Sequence, residues 1–492
     1  MSVTSKMFMY SLTLQPAGMI TQSIIGNFNA ERPKEQQIIL AQGERLTMNV
    51  VDRKSGEWRT LVTQNCFGIL RSIVPIRIPG TPNDLIICSS DSGRIAVLRY
   101  DHTRRNFVQQ HLETFGKSGI RRTIPGQYLA ADPRGRCCMF SSVEKNKVVY
   151  ILNRNQENKI TISSPQEVNQ PQTLTFALIA VDASFANPVY AALEVVYTDI
   201  DQDPSDTSYE ERKKYLVYYR VDLGLNHVLR EWSDEVDYSA NMLFAMPGGN
   251  EGPSGVIVCA QDTISYRHPD HDPLMIPIPR RKGATEDPTR KRMIVSGVTH
   301  KIKGSFFLFM QTDDGDVFKM TMRLVEDDNG RMTGEVSALQ LQYFDTFPVA
   351  TTLVILKSGY LFLAAENGDS HVYRFLSLGD EIEPIWTSDG HAVGETDYEP
   401  IFFDVHEYEN VDLTSSVPSL NPQKHTVVED IEGKDEPRII TTAGTGNRSS
   451  IKTITNGISV NEHTKAQLPS VPEAIWAVSN DRFSQYLSLI HI

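Results

Sequence analysis

The 492-residue chain carries 48 Lys and Arg against 61 Asp and Glu, and its net charge of −13 argues against a protein coated in nucleic acid while leaving a local basic face open. Hydrophobic content of 40% and charged content of 22% are those of a soluble globular chain. The length suits roughly two to four average domains, although large all-β domains break that rule.

The first residues, MSVTSKMFMYSLTLQP, lack the apolar core of a signal peptide. No run of about 18 apolar residues is present to cross a membrane as a helix. Five cysteines (Cys66, Cys88, Cys137, Cys138, Cys259) show no metal-type spacing and read as reduced thiols, which suits cytosol or nucleus.

Long amphipathic helical patterns are nearly absent. Short apolar runs separated by Gly, Asp, Asn and Pro recur instead, the pattern of strands joined by turns. In chain order these are 38–51 (IILAQGERLTMNVV), 85–98 (LIICSSDSGRIAVL), 127–140, 215–230 (YLVYYRVDLGLNHVLR), 305–322 (SFFLFMQTDDGDVFKMTM) and 359–375 (GYLFLAAENGDSHVYRF). Each is an apolar strand, a Gly turn usually preceded by an acid, and a second strand. Turn-to-turn steps such as Gly93 to Gly135 lie near the roughly 40–50-residue spacing of β-propeller blades. The Gly135–Gly224 and Gly224–Gly315 gaps leave room for an extra unit or for large insertions. A four-stranded sheet buries both faces only when stacked between neighbours, so the fold class is all-β and the pattern favours a β-propeller over a β-sandwich, which would need fewer strands.

The stretch from Gln110 to Ser141 combines a basic, Gly-punctuated loop (Gly116, Lys117, Gly119, Arg121, Arg122, Gly126) with a strand, an Asp132-Pro133-Arg134-Gly135 turn and another strand. Lys117, Arg121 and Arg122 are either a docking face for an acidic or nucleic-acid partner or solvated rim charges; flanking Phe115 and Tyr128 are either stacking aromatics or core. The insertion 198–214 is acidic and Pro-interrupted, a surface loop. Residues 279–292 (PRRKGATEDPTRKR), with Arg280, Arg281 and Lys282, form either a solvated loop or a contact with RNA, an acidic partner or an import receptor. Residues 389–435 read as linker plus irregular strands. From 436 the strand–Gly turn–strand pattern returns (RIITTAGTGNRSSIKTI), opening a second repeat domain too short to close, so the chain is expected to be C-terminally truncated.

Catalytic signals are weak. Phe115-Gly116-Lys117-Ser118 lacks the Gly that a phosphate-binding loop needs at His111, and Pro125 with two Gly follows where a helix should start. Ala443-Gly444-Thr445-Gly446 sits between strands rather than opening a helix. His268-Pro269-Asp270-His271 lacks a third ligand. Cys137 and Cys138 point to opposite faces of a strand. Asp313-Asp314 and Asp327-Asp328 fall in turns, where acids are expected anyway. No catalytic, cofactor-binding or metal-binding residue is assigned.

ETFGKSGIRRTIPGQYLAADPRGR (113–136) closely resembles the corresponding loop of the large β-propeller subunit of splicing factor 3b, the spliceosome-associated 130-kDa protein family. So do MFMYSLTLQPAG, SSDSGRIAVLRY, VDLGLNHVLREW, MPGGNEGPSGVIVC, LQYFDTFPVA and AGTGNRSSIKTITNGISV, in order along nearly the whole chain. That family is similar in architecture to the large damaged-DNA-binding subunit and the largest cleavage and polyadenylation specificity subunit. The resemblance implies a seven-bladed, WD40-like propeller over 1–435 with its closing linker, then the opening blade of a second propeller over 436–492. It implies a nuclear, non-catalytic scaffold of the U2 small nuclear ribonucleoprotein, acting in pre-mRNA splicing. Its implied partners are other splicing factor 3b subunits, chiefly the helical-repeat subunit that grips the branch-site duplex, with RNA contact indirect or minor and no membrane. The alternative is an adaptor of the ubiquitin-ligase or polyadenylation type. Lys117, Arg121, Arg122, Arg280, Arg281 and Lys282 are the candidate contacts. The final SLIHI departs from the family's strand after the Trp476 segment, and 199–214, 284–292 and 389–430 depart as insertions.

Overall fold

The apolar runs fold as antiparallel strands whose burial follows their place in the sheet. Leu85–Ser90, Cys137–Ser142 and Tyr360–Ala365 are buried at every residue, because each is second in its sheet and is covered on both faces by neighbouring sheets. Outer strands such as Trp58–Asn65 and His227–Val236 are exposed at most positions. The computed structural model describes residues 18–66, 68–114, 127–143, 147–155, 159–168, 172–197, 212–283, 287, 289–302, 304–326, 332–379, 384–395, 398–406, 408–429, 438–445, 449–454, 472–479 and 485–491. Among them the only helical turn is the short 3-10 segment Gly249–Glu251.

Seven antiparallel sheets, here blades 1 to 7, follow one another at 22–65, 70–114, 127–167, 173–236, 242–277, 294–346 and 350–417. Their first strands are Gln22–Gly26, Leu70–Ile76, Gln127–Ala131, Thr173–Val181, Met242–Ala245, Ile294–Ile302 and Ala350–Leu356. Each first strand neighbours the next, and that of blade 7 neighbours that of blade 1, so the ring is closed. The buried side chains fall into seven apolar clusters, one for each pair of adjacent blades. The fold is a seven-bladed β-propeller, as the sequence led us to expect.

The uneven turn spacing has a structural cause. Gly43, Gly93, Gly315 and Gly368 close second-to-third-strand hairpins, whereas Gly135 closes a first-to-second hairpin and Gly224 lies in a third-to-fourth hairpin. The Gly135–Gly224 gap contains the 198–214 insertion, while the Gly224–Gly315 gap contains the whole of blade 5. Blade 5 escapes the Gly pattern because Asp262, at φ +60°, takes the left-handed position there, just as Asn226 at φ +50° does in the 215–230 repeat. Gly135 is required for a different reason: at φ +73°, a Cβ there would sit 1.9 Å from the Arg77 carbonyl oxygen.

The described part of 389–435 holds the short, irregular strands read from its sequence, and they are tied to the blades. After Ser370–Phe375 the chain leaves blade 7 and adds Ile385–Thr387 to the outer edge of blade 6. It then lays Phe402–Phe403 parallel to Arg280–Arg281 and returns as Val411–Val417, the outer strand of blade 7. Phe403 anchors this strap among Tyr343 and Phe318, with ring centroids 4.6 and 5.3 Å away. Buried Asp345 holds its return, accepting hydrogen bonds from the backbone N–H groups of Glu409 and Asn410, both at 3.1 Å. The weak periodicity of the segment reflects strands that each pair on one side only and face solvent on the other.

The chain divides into two compact units, 1–424 with 442–450, and 425–441 with 451–492. The smaller one contains most of a three-stranded sheet ordered Gln423–Glu429, Arg438–Ala443, Ser450–Ile454, and an antiparallel pair, Pro472–Ser479 with Gln485–His491. The SLIHI segment thus contributes to a strand.

Candidate docking surface

In a propeller of sequential antiparallel strands, connections between blades share one face with the second-to-third hairpins. The first-to-second hairpins share the other. Both basic stretches are inter-blade connections, one flanked by Thr114 and Gln127, the other by Pro277 and Ile294, so both start and end on the same face. Lys117, Arg121 and Arg122, with Phe115 and the Gly116-Lys117-Ser118 triplet, lie outside the described residues.

Arg280, Arg281 and Lys282 are held by carboxylates of their own chain. Arg280 Nη2 is 3.4 Å from Asp262 Oδ1. Arg281 grips Asp316 with two prongs, Nε to Oδ2 at 2.8 Å and Nη2 to Oδ1 at 2.7 Å, and these bonds raise its pKa further. Lys282 Nζ reaches Asp404 of the strap at 2.7 Å. The far end of the segment behaves alike: Arg290 meets Asp313 at 2.8 Å and Asp314 at 2.9 Å, Lys291 meets Asp262 at 3.0 Å, and Arg292 meets Asp314 at 3.2 Å. Asp262, only 4% exposed, also accepts from the Arg292 backbone N–H at 2.8 Å.

The described part of 279–292 is therefore a stapled connection between blades 5 and 6 rather than a free loop. Sequence reasoning passed over its counter-ions. Asp313 and Asp314 read as ordinary turn acids, and Asp262, Asp316 and Asp404 carried no signal. The legible hint was an acid-rich QTDDGD turn following a base-rich segment. Beside the staple an open groove of about 520 Å³ is lined by Arg280, Lys282, Lys291, Tyr398 and Phe402, with Phe402 47% exposed. Basic and aromatic side chains interleave along this groove.

The other sequence candidates resolve into structure. Cys137 and Cys138 do point apart, into the blade 3–4 and blade 2–3 clusters respectively, and burial pushes the Cys137 thiol up to about 12. His268 and His271 stack at 4.0 Å, with His271 Nδ1 at 3.2 Å from the Tyr266 hydroxyl. Tyr128 packs against the blade 3–4 cluster. Gly444, at φ +84°, turns between two strands. Among the described residues no group of three or more His, Cys, Asp or Glu is placed to hold a metal ion. The sequence reading also missed a buried charge network joining blades 3 and 4. Lys147 pairs with Glu194, their side chains 4% and 1% exposed, and the Tyr219 hydroxyl donates to Glu194 Oε2 at 2.8 Å.

Comparison with known proteins identifies what this architecture is similar to. Residues 19–430 match the family model described as the RSE1/DDB1/CPSF1 first beta-propeller. The pre-mRNA-splicing factor rse1 of Emericella nidulans is 50% identical over 99% of this chain and 41% of its own length. Splicing factor 3B subunit 3 of Drosophila melanogaster is 38% identical over 98% of this chain and 39% of its own. Spliceosome-associated protein 130 A of Arabidopsis thaliana is 41% identical over 98% of this chain and 39% of its own. The chain thus spans about two fifths of the length of these relatives.

Proposed function

The chain belongs to the RSE1/DDB1/CPSF1 first-propeller family, and on that premise we propose that it acts in the nucleus as a non-catalytic scaffold of splicing factor 3b in pre-mRNA splicing. The observation that carries this reading is the match over nearly the whole chain to relatives named as splicing factors or spliceosome-associated proteins, although the family model also covers damaged-DNA-binding and polyadenylation proteins. A closed ring with an apolar wedge at every blade junction offers broad rigid faces that lose little entropy on docking. Its partners are the other splicing factor 3b subunits, chiefly the helical-repeat subunit, within the U2 small nuclear ribonucleoprotein.

Residues 1–435 act in this reading as the first propeller with its closing linker, and 436–492 as the opening of a second. Lys117, Arg121 and Arg122 form the primary contact set. Arg280, Arg281 and Lys282 are committed first to Asp262, Asp316 and Asp404, so they serve the partner by shaping the groove beside Tyr398 and Phe402. RNA contact is minor, given the net charge of −13.

The test is capture of the tagged protein from nuclear extract, with partners read by mass spectrometry and co-captured RNA sequenced. Splicing factor 3b subunits and U2 RNA are expected, and K117E/R121E/R122E should weaken capture. Recovery of ubiquitin-ligase or polyadenylation components in their place would overturn the assignment.

A further inference from the structure

The face opposite the ends of the inter-blade connections carries the first-to-second-strand hairpins, and polar bonds link neighbouring blades around it. Asn83 Nδ2 of blade 2 donates to the Phe28 carbonyl of blade 1 at 2.8 Å. Arg154 of blade 3 reaches the Pro79 carbonyl of blade 2 at 3.4 Å. Arg136 of blade 3 donates to the Ala186 carbonyl of blade 4 at 2.6 Å, and Ser254 of blade 5 to the Asp182 carbonyl of blade 4 at 3.0 Å. Lys301 of blade 6 meets Glu251 of blade 5 at 2.8 Å. The Lys357 N–H of blade 7 donates to Gln36 Oε1 of blade 1 at 2.7 Å.

At the junction of blades 6 and 7 the link is Lys319 Nζ of blade 6, which donates to the Leu378 carbonyl beyond the third strand of blade 7 at 2.6 Å. An open notch of about 780 Å³ lies beside it, with Ile302, Phe307, Ile355, Phe375 and Leu378 along its wall. Ile302 is 42% exposed and Leu378 half-buried, so apolar surface faces water at this junction. The rim is basic. His300 and Lys357 border the notch, and Lys357 Nζ has no carboxylate within ion-pair distance among the described residues. Lys301 beside them is already matched by Asp182 and Glu251, at 3.2 and 2.8 Å.

We propose that the blade 6–7 notch is a docking site for an acidic, amphipathic segment of a partner protein. Its aliphatic or aromatic side chains would fill the notch between Ile302 and Phe375, and a carboxylate would pair with Lys357. The chemistry of the occupant follows from the site: the wall takes apolar anchors, and the unmatched cation selects an acid and disfavours a basic chain. A pocket of a few hundred Å³ suits a small number of large side chains, not a flat protein face. The site lies on the face opposite the ends of the inter-blade connections and does not depend on the splicing assignment.

The experiment titrates a fluorescein-labelled helical peptide into the full chain by anisotropy. The peptide carries Leu and Phe at i, i+3, i+4 and i+7 and Glu elsewhere, and its counterpart carries Lys in place of Glu. Saturable binding of the acidic peptide is expected, at least tenfold weaker for Ile302→Glu. Lys357→Glu should weaken the acidic peptide and strengthen the Lys peptide, a reversal that misfolding cannot produce. Equal binding of both peptides to the wild type, unchanged binding to Ile302→Glu, or no binding would overturn the proposal. So would sedimentation showing self-association that Ile302→Glu abolishes, which would make a second copy the occupant.

Discussion

Two blade junctions are sealed by opposite chemistry. Between blades 3 and 4, the apolar cluster around Cys137, Met139, Tyr190 and Val217 encloses Lys147, Glu194 and Tyr219. The Lys147 ammonium lies 4.9 Å from the centre of the Tyr219 ring. Between blades 7 and 1, where the ring closes, Trp58 stacks on Phe362 at 4.7 Å over a cluster of Ile38, Leu40, Leu356 and Ala364. Hydroxyls make several of the polar links there, Ser23 with Thr352 at 2.9 Å, Thr351 to the Ile20 carbonyl at 2.8 Å, and Thr414 to the Gly56 carbonyl at 3.3 Å, beside the Lys357 N–H bond to Gln36.

The contrast follows from how far the chain must travel to make each contact. Blades 3 and 4 are consecutive, and Lys147 and Glu194 are only 47 residues apart, so a demanding buried pair can be brought into register by a short connection. The closing junction joins residues such as Ser23 and Thr352, 329 apart. Apolar surface and rotating hydroxyls tolerate small errors in meeting, whereas an unmatched buried charge would not.

The largest expected effect comes from breaking the demanding junction. Glu194→Ala strands the Lys147 ammonium in a dry cluster and should cost about 3–5 kcal/mol, read as a fall in urea midpoint. Replacing both partners by Lys147→Met and Glu194→Leu should recover most of that loss. If the double variant is as unstable as the single one, packing and not the stranded charge was responsible.

Phe362→Ala probes the forgiving junction, where the cavity left beneath Trp58 should cost about 3 kcal/mol. Limited proteolysis should then cut first near the Gln22–Gly26 strand, whereas Glu194→Ala should expose blades 3 and 4. Identical cleavage patterns would show that the two junctions open as one unit.

The smallest effect is a pH dependence that only the charged junction possesses. Burial lowers the pKa of Lys147, with Glu194 opposing the shift, so above that lowered value the unfolded chain retains a proton that the folded chain has released. Stability from this site is full above the ordinary lysine value of 10.5 and is lost as pH falls through the lowered one. Relative to K147M/E194L, the wild type should therefore gain stability as pH rises towards 10.5, while the wild-type and Phe362→Ala curves stay parallel. Parallel curves for all three would show that Lys147 is not shifted.

The sequence by itself determined the local grammar. All-buried strands such as Cys137–Ser142, alternating or exposed outer strands, and left-handed turns at Gly93, Gly315 and Gly368 follow from side-chain periodicity and backbone sterics within a few residues. Hence the propeller class and its repeat were legible. Blade 5 was less so, because Asp262 replaced the expected glycine.

Tertiary structure decided what depends on distant partners. Lys282 pairs with Asp404 across 122 residues, and the strap at 376–410 found its place only because blade 6 left an outer edge to cover. The six cations of 280–292 look unpaired in one dimension and are matched by Asp262, Asp313, Asp314, Asp316 and Asp404 in three. A charge's free energy depends on which neighbours desolvate and pair with it, and those neighbours are chosen by the closure of the ring rather than by the adjacent residues.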